Sequence, residues 1–94
     1  MSDFWSRPLS PSVDALHQEL GGETVLLNLR SEQYFGLDEV GTRIWQLVTE
    51  GATAEAIVAQ LLAEYDADEA TIRGDVERLL QELAGAGLLA NGAG

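Results

Sequence analysis

The chain has 94 residues, enough for one small domain with a single core. Sixteen acidic side chains stand against five basic ones, all arginine, and the resulting formal charge of −11 repels phosphate backbones and anionic lipid alike. Cysteine is absent, which excludes disulfides and thiolate metal sites.

The opening residues, MSDFWSRPLSPSV, lack the positive start and apolar run of a secretory signal. Nowhere does the chain offer the roughly twenty consecutive apolar residues of a membrane span. A soluble, cytoplasmic protein is expected. Pro8 and Pro11, with Ser6 and Ser10 around them, make residues 1–11 an extended arm. The segment SVDALHQEL alternates weakly, with Val13, Ala15 and His17 set against Asp14, Leu16 and Gln18, and it ends at the turn Gly21-Gly22. ETVLLNLR alternates clearly: Val25, Leu27 and Leu29 fall on one face, Thr24, Leu26, Asn28 and Arg30 on the other. RSEQ supplies a turn and QYFGL a third short strand, so residues 12–37 read as an antiparallel meander.

From Asp38 the period becomes helical. Asp38 caps a helix carrying Val40, Ile44, Trp45, Leu47 and Val48 that closes at Gly51. Thr53 caps a second, with Ile57, Val58, Leu61, Leu62 and Tyr65 in one apolar stripe. Asp66 or Asp68 caps a third, with Ile72, Val76, Leu79 and Leu83 in register until Gly85 and Gly87 end it. Leu88 and Leu89 are expected to fold back onto the helices, and residues 90–94 form a flexible tail. The expected architecture is α+β: a three-stranded antiparallel sheet followed by a three-helix bundle, one domain over residues 12–89.

Catalytic chemistry is scarce. His17 is the one histidine and has no serine or cysteine with which to build a nucleophilic triad, so a solvent-exposed or sheet-edge residue is expected there. Asp66, Asp68 and Glu69 suit capping and the helix dipole better than a metal, and no calcium-loop spacing occurs. Glu50, Glu55, Glu64 and Glu77 occupy polar helix faces, and Trp45 is expected in the core.

In the stretch Thr53–Leu89, the positions Ile57, Val58, Leu61, Tyr65, Ile72, Asp75, Val76, Leu79, Leu80, Leu83, Gly87, Leu88 and Leu89 follow a rhythm similar to that of the PqqD-like family. Val25–Val48 looks like the matching strand-strand-helix part, and the likeness runs from about residue 13 to 89. It resembles most closely the discrete members found with lasso-peptide biosynthesis enzymes. The resemblance implies a winged-helix-like RiPP recognition element, which binds the leader segment of a ribosomally made precursor peptide. In such a module the leader adds as a strand to the third strand and lies against the third helix. No cofactor and no chemistry of its own are implied, and the partners implied beyond the leader peptide are a separate leader peptidase and the cyclase. The arm DFWSRPLSP is outside the shared pattern.

The residues fit a docking edge. QYFGL is short, aromatic, uncharged and without proline, whereas exposed strand edges are ordinarily protected by charge or proline. Neighbours in a strand point to opposite faces, so Phe35 and Leu37 are expected to pack inward and leave Tyr34 and Gly36 at the rim, with the opposite assignment open. The arm, or a second copy of the chain, are the other candidates to cover this edge. On the third helix, at about 100° per residue from Ile72, Val76, Leu79 and Leu83 cluster within about 40°. Leu80, Arg73, Ala84 and Glu77 lie on one flank at about 80° to 140°, and Asp75, Arg78 and Glu82 lie on the other. The first flank, with its leucine, small residue and arginine, is assigned to the groove: Leu80 to receive an apolar leader side chain, Arg73 to pair with an acidic one. The expected peptide-contacting set is thus Gln33, Tyr34, Phe35, Gly36, Leu37, Arg73, Val76, Glu77, Leu80 and Ala84. A winged-helix DNA-binding protein is the alternative, but residues 68–84 carry two arginines against five acidic side chains, the reverse of a nucleic-acid interface.

Overall fold

The computed structural model of the chain describes residues 4–90. Three strands, β1 (Ala15–Leu20), β2 (Glu23–Asn28) and β3 (Gln33–Leu37), are followed by α1 (Glu39–Thr49), α2 (Ala54–Glu64) and α3 (Glu69–Gly85). The sheet is antiparallel in the order β1-β2-β3, so β1 and β3 are both edges. Gly21 and Gly22, at φ 59° and 87°, form the two-residue β1–β2 connection. Positive φ at both positions makes this one of the two-residue turn types whose twist matches that of the strands it joins.

Each helix begins where a short polar side chain satisfies an orphan amide. The Asp38 carboxylate accepts from the Gly41 amide at 2.8 Å, the Thr53 hydroxyl from Ala56 at 3.0 Å, and the Asp68 carboxylate from the Thr71 amide and hydroxyl. Of the two candidates for the third cap, Asp68 is the one used. Leu26 from the sheet meets Ile44, Trp45 and Val48 of α1, Ile57, Val58 and Leu61 of α2, and Ile72, Val76, Leu80 and Leu83 of α3 in one core, closed by Leu88 and Leu89. The inward face of β2 is Thr24, Leu26 and Asn28, while Val25 and Leu29 are exposed.

Trp5 offers its carbonyl to the Glu55 amide, Leu9 donates to Ala52, Ser12 to Leu88, and Ala90 to Ser10. These partners lie on the α1–α2 connection, the start of α2 and the C-terminal segment, not on β3. The arm therefore straps the helical side, and the edge of β3 is free of these contacts.

That strap corrects the third helix. The Arg73 guanidinium stacks 4.8 Å from the Trp5 ring centroid and bonds the Glu55 and Glu69 carboxylates. The Arg73–Ala84 flank is thus turned toward α2 and the arm, and Leu80, on the same side, is buried with 1% of its surface exposed. Leu79 is only partly buried and faces the sheet-side cleft described below. Val76 is fully buried, Glu77 is exposed away from the cleft and Ala84 packs on the core rim, so none of Arg73, Val76, Glu77, Leu80 and Ala84 lines the space beside β3.

Leu80→Ala is expected to lose about 2 to 5 kcal/mol of stability, and Leu79→Ala less than about 1.5 kcal/mol, read from urea unfolding midpoints of the two variants. A pH dependence follows from the surface network in which Arg43 grips Glu64 at 2.8 and 2.9 Å and Gln60 donates to the same carboxylate. Bonds from Arg43, then Gln60, hold the Glu64 pKa down at about 2, from an ordinary 4.5. A depressed folded-state pKa stabilises above the unfolded value and loses that contribution as the pH falls through the folded one. The thermal midpoint should therefore fall between about pH 4.5 and pH 2, and Arg43→Gln should flatten that fall.

Candidate functional site

The Leu29 amide donates to the Asp14 carbonyl at 2.8 Å. This marks Asp14/Leu29 as a hydrogen-bonded pair, and with the observed register it makes Leu16/Leu27, Gln18/Val25 and Leu20/Glu23 bonded pairs too. Residues 24, 26 and 28 of β2 then direct their backbone groups at Leu37, Phe35 and Gln33 of β3. By elimination Tyr34 and Gly36 send their amides and carbonyls outward, as an unpaired ladder along the free edge. Their side positions lie on the outer face of the sheet, where Tyr34 is 74% exposed, while Leu37 is buried and Phe35 half-buried on the inner face.

Beside that ladder the inner face opens into two clefts that share Phe35 as a divider. One, of about 410 Å³, runs from Phe35, Gly36 and Leu37 past Val40, Gly41 and Ile44 to Asp75, Arg78, Leu79 and Glu82 of α3. The other, also about 410 Å³, is lined by Asn28, Gln33, Tyr34, Phe35, Ala86 and Leu88. The first has an acidic rim: Asp38, Asp75 and Glu82 against Arg78, which is paired with Asp75 at 3.1 Å. The second has no ionisable lining except the Tyr34 phenol. Together they make a groove between a sheet edge with free backbone groups and the flank of α3 opposite to the one expected. Gln33, Tyr34, Phe35, Gly36 and Leu37 all border it.

Asn28 holds the groove's two walls together and was not singled out from the sequence. Its Nδ2 donates to the Ala86 carbonyl at 2.7 Å, just past the end of α3, and its Oδ1 accepts from the Arg30 and Ser31 amides at 2.9 and 3.2 Å. Gly87 sits at φ 74° directly against it; a Cβ there would come 2.9 Å from Nδ2. The only sequence signal was an amide on the inner face of a strand, because the partner carbonyl lies 58 residues away.

Among the described residues, no group of three or more His, Cys, Asp or Glu side chains is arranged to hold a metal ion, and no helix is long and apolar enough to cross a membrane. His17 lies on β1, remote from the groove, with its ring against Trp45 at 6.1 Å.

The family profile described as "Coenzyme PQQ synthesis protein D (PqqD)" matches residues 23–89. Two proteins of Rhodopseudomonas palustris, strains BisB5 and ATCC BAA-98 / CGA009, each called "PqqA binding protein", are 38% and 39% identical over 61 residues. The matches cover 65% of this chain and 60% of each relative, so the chain spans about three fifths of the length of these curated relatives. Among solved structures, TbiB1 in complex with the TbiA(beta) leader peptide superposes with a TM-score of 0.81 at 41% identity, covering 85% of this chain and 93% of TbiB1. A lasso peptide synthetase B1 complexed with its leader peptide shares the fold, with a TM-score of 0.78 at 21% identity over 87% and 96% of the two chains.

Replacing Asn28 by alanine leaves the half-buried Ala86 carbonyl without its donor and frees the β2–β3 turn. The expected loss is roughly 1 to 3 kcal/mol. Urea unfolding measures it, and amide exchange at Arg30 and Ser31 should rise in the same variant.

Proposed function

Since the chain belongs to the PqqD family, we propose that it binds the leader segment of a ribosomally synthesised precursor peptide by adding that segment as a fourth strand to the edge of β3. The observation that carries the reading is the unpaired backbone of Tyr34 and Gly36 beside two clefts, in a chain 41% identical to a protein solved with a leader peptide bound. Strand addition supplies affinity through the main chain and selectivity through alternate side chains. Leader residues opposite Tyr34 and Gly36 exchange backbone hydrogen bonds with them. Residues opposite Gln33, Phe35 and Leu37 turn inward, toward Leu79, Asp75, Arg78 and Glu82 at one end and toward Asn28, Ala86 and Leu88 at the other.

Most of the anchoring comes from backbone pairing and apolar burial, because the one basic side chain of the groove is already paired. The domain performs no chemistry and needs no cofactor. It acts in the cytoplasm as an adaptor in lasso-peptide maturation and presents the precursor to a separate leader peptidase and a cyclase. The alternative of DNA binding is disfavoured by the charge of −11 and by the acidic rim of the groove.

A labelled TbiA(beta) leader peptide, titrated by fluorescence anisotropy, tests the reading. Tyr34→Pro removes an outward donor without touching the β2–β3 ladder, and at about 0.5 to 1.5 kcal/mol per lost bond it should weaken binding several-fold or more. Leu79→Ala should weaken the peptide by about 1 to 2 kcal/mol while lowering the thermal midpoint far less than Leu80→Ala does. Unchanged affinity in both folded variants would remove strand addition on β3 from consideration.

A further inference from the structure

The sheet has a second free edge, and it is self-complementary. In β1 the bonded pairs with β2 consume the backbone groups of Leu16, Gln18 and Leu20, so His17 and Glu19 direct their amides and carbonyls outward. An edge of this length, exposed from Leu16 to Leu20, is a template for another strand. Charged residues usually protect such an edge, but here they have opposite character and flank Gln18 symmetrically.

We propose that two copies of this chain pair antiparallel through β1, centred on Gln18. In that register each His17 faces Glu19 of the second copy, and the two such pairs each exchange both backbone hydrogen bonds. On the outer face Leu16, 54% exposed, meets Leu20 of the second copy, 66% exposed, and the two Gln18 amides face each other. A shift by one pairing step sets Leu16 against Gln18 and His17 against His17, and both complementarities are lost.

Both polar side chains are already ordered for this contact. The Gln46 amide donates to Glu19 Oε2 at 2.8 Å, which leaves Oε1 available, and His17 rests edge-on to Trp45. The two-fold axis runs perpendicular to the sheet, so the product is a six-stranded sheet with both sets of helices on one side. The β3 edges become its two outer strands, free for one peptide each. A contact of one strand pair is small, so the association is weak and reversible. The repulsion between two chains of charge −11 is largely screened at physiological salt.

Sedimentation velocity of the full chain over a concentration series at 0.15 M salt, a typical ionic strength with a Debye length of about 8 Å, provides the test. The parent should move toward twice the monomer mass as concentration rises. His17→Glu alone sets two carboxylates opposite one another, and Glu19→Lys alone removes the carboxylate acceptor that faces His17; each should raise the dissociation constant at least about tenfold, the equivalent of about 1.4 kcal/mol. The combined variant sets a carboxylate against an ammonium in each pair and should dimerise like the parent. Circular dichroism confirms that all three are folded. A parent that stays monomeric throughout, single variants that dimerise undiminished, or a combined variant that stays monomeric would each overturn the proposal.

Discussion

Everything that makes this molecule a groove rather than a closed sandwich depends on Asn28. One amide side chain, buried at the inner end of β2, binds the carbonyl just past α3 and two amides of the β2–β3 turn. It therefore sets the spacing between the C-terminal end of α3 and the start of β3. A polar group is needed because the helix end leaves carbonyls unpaired and the turn leaves amides unpaired. One carboxamide, with a donor and an acceptor, satisfies both. An apolar residue would fill the space but leave the half-buried Ala86 carbonyl without its donor, and would leave the clefts beside Phe35 without a fixed width.

The two long faces of α3 have been given different duties by what surrounds them. On one side Trp5, Glu55 and Glu69 gather around Arg73, so the arginine assigned to the peptide from the sequence is held in a clamp against α2 and the arm. Its bonds to Glu55 and Glu69 raise its pKa, and the Arg73 bonds in turn lower that of Glu55. On the other side Asp75, Arg78, Leu79 and Glu82 stay open toward the sheet. An acidic protein thus spends its few cations on its own architecture, Arg43 against Glu64 and Arg73 against Glu55, and presents to a partner mainly backbone, aromatic and aliphatic surface. That surface suits an extended peptide better than a nucleic acid.

A three-stranded sheet has two edges, and these differ in chemistry as well as in place. β3 is uncharged, with an aromatic and a glycine at its outward positions, and it looks onto the clefts. β1 carries an imidazole and a carboxylate at its outward positions and looks onto open solvent. The first invites a strand whose side chains are read by pockets. The second is selective for a strand of its own sequence, because only the reversed copy brings unlike groups together in pairs.

By itself the sequence determined the element order, the helix starts at Asp38 and Thr53, a third start at Asp66 or Asp68, and the parting of Tyr34 from Phe35 to opposite faces. These are local consequences of capping chemistry and of strand and helix periods, which need only neighbours a few residues away. The family resemblance was legible in the same apolar rhythm, since a core stripe is what such a rhythm records. The division of α3 was not legible. Leu79 and Leu80 are adjacent, both apolar and about 100° apart, so periodicity admits a stripe centred on either side of Val76. Only the packed structure chose, by laying α2 and the arm along the Arg73 flank and thereby pushing Leu80 into the core and Leu79 into the cleft. The role of Asn28 was hidden for the same reason: its partner is set by how the C-terminal end of α3 returns to the sheet, a contact between distant residues that no local period encodes.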